Sequence, residues 1–320
     1  MNTGVQVIAI VSITIGFLCS PLRAADISES SWQDLTDDTS RATLFSEEII
    51  PARLAEDEAS PPDKPVDFNI PKDFWFPEDV VYDKALNKPR SGTIFGIDIS
   101  HHTGKFSFKS LALQKVGFVY MKATQGERFK DSKFGTYWKE AGDLGGSSAI
   151  RRGAYHFLTA SGDVDKQAAS FSDYLALHGK IQDRDLPPCL DLEWDRTATI
   201  PDQWKGQNPD AILAKALKWM EVIEAKTGRA PILYTARSWW RERIGDEKKL
   251  KLFDKYHIWI ADYSVSHKAS EAPAVINGRV QKIWQFADDA SLRTGYDRGL
   301  DANVYYGSTA DFMKDFGIKN

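Results

Sequence analysis

The stretch Leu186-Pro-Pro-Cys-Leu-Asp-Leu-Glu-Trp-Asp195 sets two carboxylates, Asp191 and Glu193, two residues apart inside an apolar run. In an extended strand, residues i and i+2 share a face. Leu190 and Leu192 therefore point toward one hydrophobic layer, while Cys189, Asp191 and Glu193 point the other way, with the two acids roughly 7 Å apart along the strand. Acids that close divide their labour. Mutual repulsion and desolvation favour one holding a proton near neutral pH while the other stays charged, the arrangement of a general acid and its partner. The competing reading is a solvent-facing edge strand, on which paired acids cost little; the apolar flank and the Pro187-Pro188 entry weigh against it.

Outward from this stretch, short apolar runs alternate with longer amphipathic ones from about Thr93 onward. The sequence predicts strands at Ile94 to Ile99, Phe118 to Ala123, Gly153 to Phe157, Cys189 to Glu193, Ile232 to Thr235, His257 to Ala261, Val280 to Phe286 and Leu300 to Tyr305. Between several of them lie helix-like stretches, the clearest being Asp165 to His178 and Pro209 to Lys226, the latter stopped by Gly228 and Pro231. Alternating strands and helices imply a parallel sheet with covered faces. About eight strands in about 225 residues suit a closed barrel better than a doubly wound sheet, although the spacing of the last three leaves little room for full helices. The expected fold is α/β: an irregular (β/α) barrel of the TIM-barrel-like type, forming a single catalytic domain with a disordered N-terminal extension.

In such barrels functional groups sit at the C-terminal ends of the strands, facing the mouth. Asp98 lies near the end of the first strand, Asp191 and Glu193 end the fourth, and Asp301 opens the last; Asp262, just after Trp259-Ile-Ala261, is a weaker candidate from a fourth strand. Any single Asp is ordinarily a surface acid, but the convergence of several is harder to explain that way. Tyr155, Tyr234, Trp259, Tyr263, Trp284 and Tyr305 fall in or beside the same strands, with Trp194 after the acid pair. Each alone reads as core rather than binding surface. Together with an acid cluster they suit sugar rings, whose C–H faces stack on aromatic planes while hydroxyls find hydrogen bonds. No glycine-rich phosphate loop is present.

The 320-residue chain is 42% hydrophobic and 12% aromatic, ample for a buried core, but it is not globular throughout. Residues 1–24 read as a signal peptide, with an apolar run from Val5 to Leu18 before a small-residue cleavage site; the n-region lacks Lys or Arg, so an uncleaved anchor is the alternative. Residues 25–90 read as an acidic, Pro-containing linker: Asp26 to Lys72 carry 12 acids against 4 bases, a composition that does not fold alone. Phe74-Trp75-Phe76-Pro77 looks like an aromatic clamp on the body of the catalytic domain, residues 91–317. No second apolar stretch has the length to span a bilayer. The mature chain is expected to be exported, periplasmic or extracellular, without stable membrane insertion after cleavage, and monomeric. Nucleic-acid binding has no positive support. Once the leader is removed only Cys189 is left, so no intrachain disulfide forms, and a lone strand cysteine reads as a small buried hydrophobe. His101, His102 and His156 raise the alternative of a metal hydrolase such as a polysaccharide deacetylase, but adjacent histidines in a strand face opposite ways. No metal or other cofactor is expected.

With these residues laid out, the chain resembles the glycoside hydrolase family 25 lysozymes, N-acetylmuramidases of peptidoglycan. The likeness runs from about Gly92 to about Phe316. It is carried by Phe95-Gly-Ile-Asp98-Ile-Ser100, Phe118-Val-Tyr-Met-Lys122-Ala-Thr-Gln-Gly126, Gly153-Ala-Tyr-His-Phe157, Leu190-Asp-Leu-Glu193, Pro231-Ile-Leu-Tyr234, Ile258-Trp-Ile-Ala261, Ile283-Trp-Gln-Phe286 and Leu300-Asp301-Ala-Asn303. The resemblance implies a modified β/α barrel in which Glu193 is the general acid and Asp191 orients the substrate's N-acetyl group as it attacks the anomeric carbon. Asp98 and Asp301 would complete the acidic floor. The substrate-binding set would comprise Tyr155, Tyr234, Tyr263, Gln285, Trp284 and Lys122, the last read as a buried charge paired with a site acid rather than a catalytic amine. A rival mechanism makes Asp98 or Asp301 the nucleophile or general base. Where many members carry Glu after Lys-Ala-Thr, this chain has Gln125, for which a structural or substrate-orienting role is expected. The expected substrate is the glycan strand of peptidoglycan. The alternative is a catalytically silent peptidoglycan-binding protein with the same cleft, motivated only by Gln125.

Overall fold

Each of the eight apolar runs forms a strand: β1 (Thr93–Ile99), β2 (Val116–Gln125), β3 (Arg151–Phe157), β4 (Cys189–Asp191), β5 (Ile232–Ala236), β6 (Ile258–Ala261), β7 (Ile283–Leu292) and β8 (Leu300–Tyr306). The computed structural model describes residues 75–76, 82–83, 88–89, 92–103, 107–146, 149–197, 199–263, 273–292 and 299–319. The expected leader and most of the expected linker therefore lie outside the described residues. Within the linker, Trp75–Phe76 runs parallel to Ser291–Leu292 at the end of β7, so the backbone of the expected clamp does meet the barrel.

Strands β1 to β7 pair in chain order, all parallel, and β8 closes the ring by pairing with both β7 and β1. Strand β8 is antiparallel to both neighbours, which corrects the expectation of a wholly parallel sheet. The reason is length: only residues 293–299 separate β7 from β8, too few for the crossover that a parallel return needs. The reversal has a functional consequence. It brings the first residues of β8, rather than the last, to the mouth of the barrel, and Asp301 falls directly opposite Asp98.

The covering helices are α1 (Phe108–Leu113), α2 (Phe134–Gly142), α3 (Val164–Leu177), α4 (Pro209–Thr227), α5 (Arg237–Arg243) and α6 (Thr309–Asp315), with a 3-10 turn at Glu247–Phe253. Their limits follow from local chemistry. Asp163 caps α3 by accepting from the backbone of Asp165 and Lys166, Asn208 caps α4 ahead of Pro209, and Gly228 ends α4 in the left-handed conformation at φ 68°.

Side chains fill the barrel interior. Trp259 packs between Tyr120 and Tyr234 with ring centroids 4.9 Å from each, and the Tyr120 hydroxyl donates to the Pro187 carbonyl at 3.0 Å. Two glycines make room for this layer. A Cβ at Gly153 would run into the Tyr120 ring, and one at Gly96 into the Phe118 ring. Outside the sheet, the fully buried Trp219 of α4 stacks on His156 at 5.2 Å and meets Phe171 of α3 at the same distance. Burying side chains of this size contributes on the order of 1.5–3 kcal/mol each. His156 also hydrogen-bonds Thr124 and Gln167, and burial lowers its pKa to about 3. It is a neutral packing histidine.

Candidate active site

Asp98 is the best-defined acid of the mouth. Its Oδ2 accepts from Gln285 Nε2 at 2.7 Å and from Asn303 Nδ2 at 2.8 Å. Both amides are themselves oriented. The Trp259 indole donates to Asn303 Oδ1 at 2.8 Å, and because an indole N–H only donates, the Asn303 NH₂ must turn toward Asp98. The Tyr234 hydroxyl donates to Gln285 Oε1 at 2.8 Å and Tyr263 does so at 3.4 Å, which fixes the second amide in the same sense. Five side chains from four strands and the loop after β6 thus hold one carboxylate.

The other acids converge on it. Asp301 is the register partner of Asp98 across β8 and β1 and is half-buried. Asp191, the last residue of β4, lies opposite Phe157 of β3 and Tyr234 of β5, and its carbonyl accepts from Leu158. Asp98, Tyr155, Cys189, Asp191, Tyr234 and Trp259 line a single narrow cavity. Strand pairing stops at Asp191, so the predicted strand is two residues too long and Glu193 sits in the bend beyond it, almost fully buried. Its neighbours are anchored: the Leu192 N–H donates to the Tyr234 carbonyl and the Trp194 indole to Glu242. Burial, then the nearby charges of Asp191 and Asp98, push the Cys189 thiol well up, so it packs as an unreactive apolar group.

Of the predicted substrate contacts, Tyr155 and Tyr234 line the cavity, and Tyr234, Tyr263 and Gln285 also hold Asp98. Trp284 is fully buried, next to Gln285 on a strand whose residues alternate in direction, and donates to the Asp262 carbonyl at 2.7 Å; it supports the turn after β6. Asp262 accepts from the Ala274 N–H, a loop-fixing bond. Lys122 Nζ donates to Gln125 Oε1 at 2.6 Å and lies 5.0 Å from the centroid of Phe157 and 5.6 Å from that of Phe129. His101 pairs through Nδ1 with Asp131 at 2.9 Å. Among the described residues no group of His, Cys, Asp and Glu is placed to hold a metal ion. A larger surface pocket, about 290 Å³ beside Arg151 and Arg184, lies at the N-terminal end of β3, away from the acids.

Asn303 stands outside the expected site residues, although the motif Leu300-Asp301-Ala-Asn303 contains it. Its signal was the period of two: a residue two beyond Asp301 on the same strand faces the same interior. Asp195, the third acid of the opening stretch, likewise stands outside the expected site.

A profile of the glycosyl hydrolases family 25 matches residues 97–294. The chain is 28% identical to "Lysozyme M1" of Streptomyces globisporus over 72% of this chain and 74% of that one. It is 29% identical to the "N,O-diacetylmuramidase" of Chalaropsis sp over 69% of this chain and 98% of that protein. Among solved structures, the bacterial lysozyme from Streptomyces coelicolor superposes with a TM-score of 0.59 at 28% identity, covering 70% of this chain and 97% of that one.

Proposed function

Because the chain belongs to the glycosyl hydrolases of family 25, we propose that it is a lysozyme-type muramidase, cutting the β-1,4 bond between N-acetylmuramic acid and N-acetylglucosamine in peptidoglycan. The observation that carries this reading is the meeting of acids from β1, β4 and β8 at one end of the barrel, with Asp98 held by two oriented amides. Relatives named as a lysozyme and a diacetylmuramidase support the choice of substrate.

Glu193 is the general acid. It protonates the leaving glycosidic oxygen, a role that suits a carboxyl in buried surroundings, where desolvation favours the protonated form. Asp191 accepts a hydrogen bond from the N–H of the substrate's N-acetyl group, and the acetamido oxygen attacks the anomeric carbon as the glycosidic bond breaks. Glu193, now ionised, takes a proton from water, which opens the cyclic intermediate from the original face, so configuration is retained. Asp98 and Asp301 stabilise the positive charge that develops on the sugar ring. The Asp98 carboxylate does so without reorganising, since its hydrogen bonds are in place beforehand. Gln125 has a neighbour in Lys122 and no step to perform. A substrate outside the cytoplasm fits the expected export of the chain.

Incubating the purified protein with purified sacculi, reducing the products with borohydride and identifying the reduced terminal sugar tests the reading. Muramicitol ends are expected. Glucosaminitol ends, or no release at all, contradict it.

A further inference from the structure

Asp195 has no part in the reaction above, yet it is one of the most tightly held acids near the mouth. Its carboxyl is buried, and Oδ2 accepts from the Ala160 N–H, in the loop after β3, at 2.7 Å. Its own N–H donates to Asp202 Oδ1 at 2.8 Å, and Asp202 Oδ2 pairs with Arg243 of α5. From the far side of the Ala160 loop, Lys215 of α4 donates to the carbonyls of Ala160, Ser161 and Gly162. One carboxyl therefore ties together the loops after β3 and β4, while Asp202 extends the tie to α5, beyond β5. The charged groups that face it are Asp202, Lys215 and, more remotely, Lys122, with Arg243 acting through Asp202. Glu193 lies two residues back, so the two Cα atoms are no more than about 7 Å apart.

Hydrogen bonding alone does not require an acid here, since an asparagine would accept the Ala160 N–H equally well. The charge, moreover, is resisted: burial pushes the Asp195 carboxyl up to about 6, Asp202 adds to the effect, and the Ala160 N–H, Lys215 and Lys122 pull against it. A buried charge that works against its surroundings, beside a catalytic acid, points to function.

We propose that Asp195 is a positioning residue for the general acid: anchored by Ala160 and Asp202, it holds the Glu193 segment in place, and its negative charge opposes ionisation of Glu193. The proposal rests on the muramidase reading. Above about pH 6 Asp195 is itself ionised, so its field acts in the neutral range, where an ordinary glutamic acid would have lost its proton. Both carboxyls are buried on one short segment, where little water screens them, and a like charge nearby raises the neighbour's hold on its proton.

The test is the pH dependence of kcat/KM on sacculi for the wild type and Asp195→Asn, with Glu193→Gln as the blank. Removing the charge is expected to move the alkaline limb down by about one pH unit, so that activity beyond the limb falls about tenfold while KM is unchanged. Asp195→Ser, also uncharged and able to accept a hydrogen bond, gives the same shift and serves should the Asn variant fail to fold. Profiles that superimpose on the wild type, or that fall uniformly at every pH, overturn the proposal and leave the muramidase reading standing. A wild type that releases no muropeptides at any pH overturns both.

Discussion

At the scale of single residues, the site depends on amides that other side chains have already turned. Trp259→Phe keeps the ring in the barrel layer but removes the only donor to Asn303 Oδ1 among the described residues. The amide is then free to rotate away from Asp98. We expect kcat to fall about tenfold or more, with a stability loss of about 1–3 kcal/mol, read from product release and from urea unfolding. Asp195 predicts the opposite effect on stability. Its pKa is about 6 in the folded chain against 3.8 for an ordinary aspartate, so between those values the native state holds a proton that the unfolded chain has released. Stability therefore falls as pH rises from about 4 to about 6 and stays low above that, a cost of ~3 kcal/mol at neutral pH. Asp195→Asn should unfold at a higher temperature than the wild type at pH 7, and the difference should vanish as the pH is lowered through 6 to 4. Unfolding temperatures that differ equally at both ends of this range would contradict the account of its burial.

At the scale of elements, all eight strands were legible because each is a short apolar run closed off by turn residues, a signal that depends only on neighbours in sequence. The helices α3 and α4 were legible for the same reason, through their caps and the Gly228 stop. What could not be read was the direction of β8. Direction is set by how far the connecting segment reaches, and the strand pattern is the same either way. The interior layer was equally hidden, since Tyr120 meets Trp259 across a distance in sequence that no local pattern records. Gly153 exposes that layer to a simple test. Gly153→Ala drives a methyl group into the Tyr120 ring, and overpacking of this kind is expected to destabilise the fold by about 1–3 kcal/mol. Equilibrium urea denaturation measures it, and a neutral result would mean that the ring has room to move.

At the scale of the whole molecule, the barrel converts a separation of 205 residues into a side-chain hydrogen bond, between Asp98 and Asn303. For this reason the acids themselves were legible in the sequence, as charged residues stranded in apolar runs, while the groups that hold them were not. Tyr234, Tyr263 and Gln285 were recognised as belonging to the mouth, yet their work as a scaffold for Asp98 appears only once β5, β6 and β7 lie side by side. Trp284 shows the converse. An aromatic beside a site residue on a strand belongs to the opposite face, and its full burial follows from the alternation of the strand. The central claim is that this assembly cleaves peptidoglycan by proton donation from Glu193, and a single comparison addresses it most directly. Purified wild type and Glu193→Gln are incubated with the same sacculi, and released muropeptides are quantified beside a thermal melt of each protein. The account predicts steady release by the wild type and a loss of at least about a thousandfold in the variant, with the fold retained, as removal of the proton donor requires. Release by a folded Glu193→Gln variant within tenfold of the wild type would contradict it.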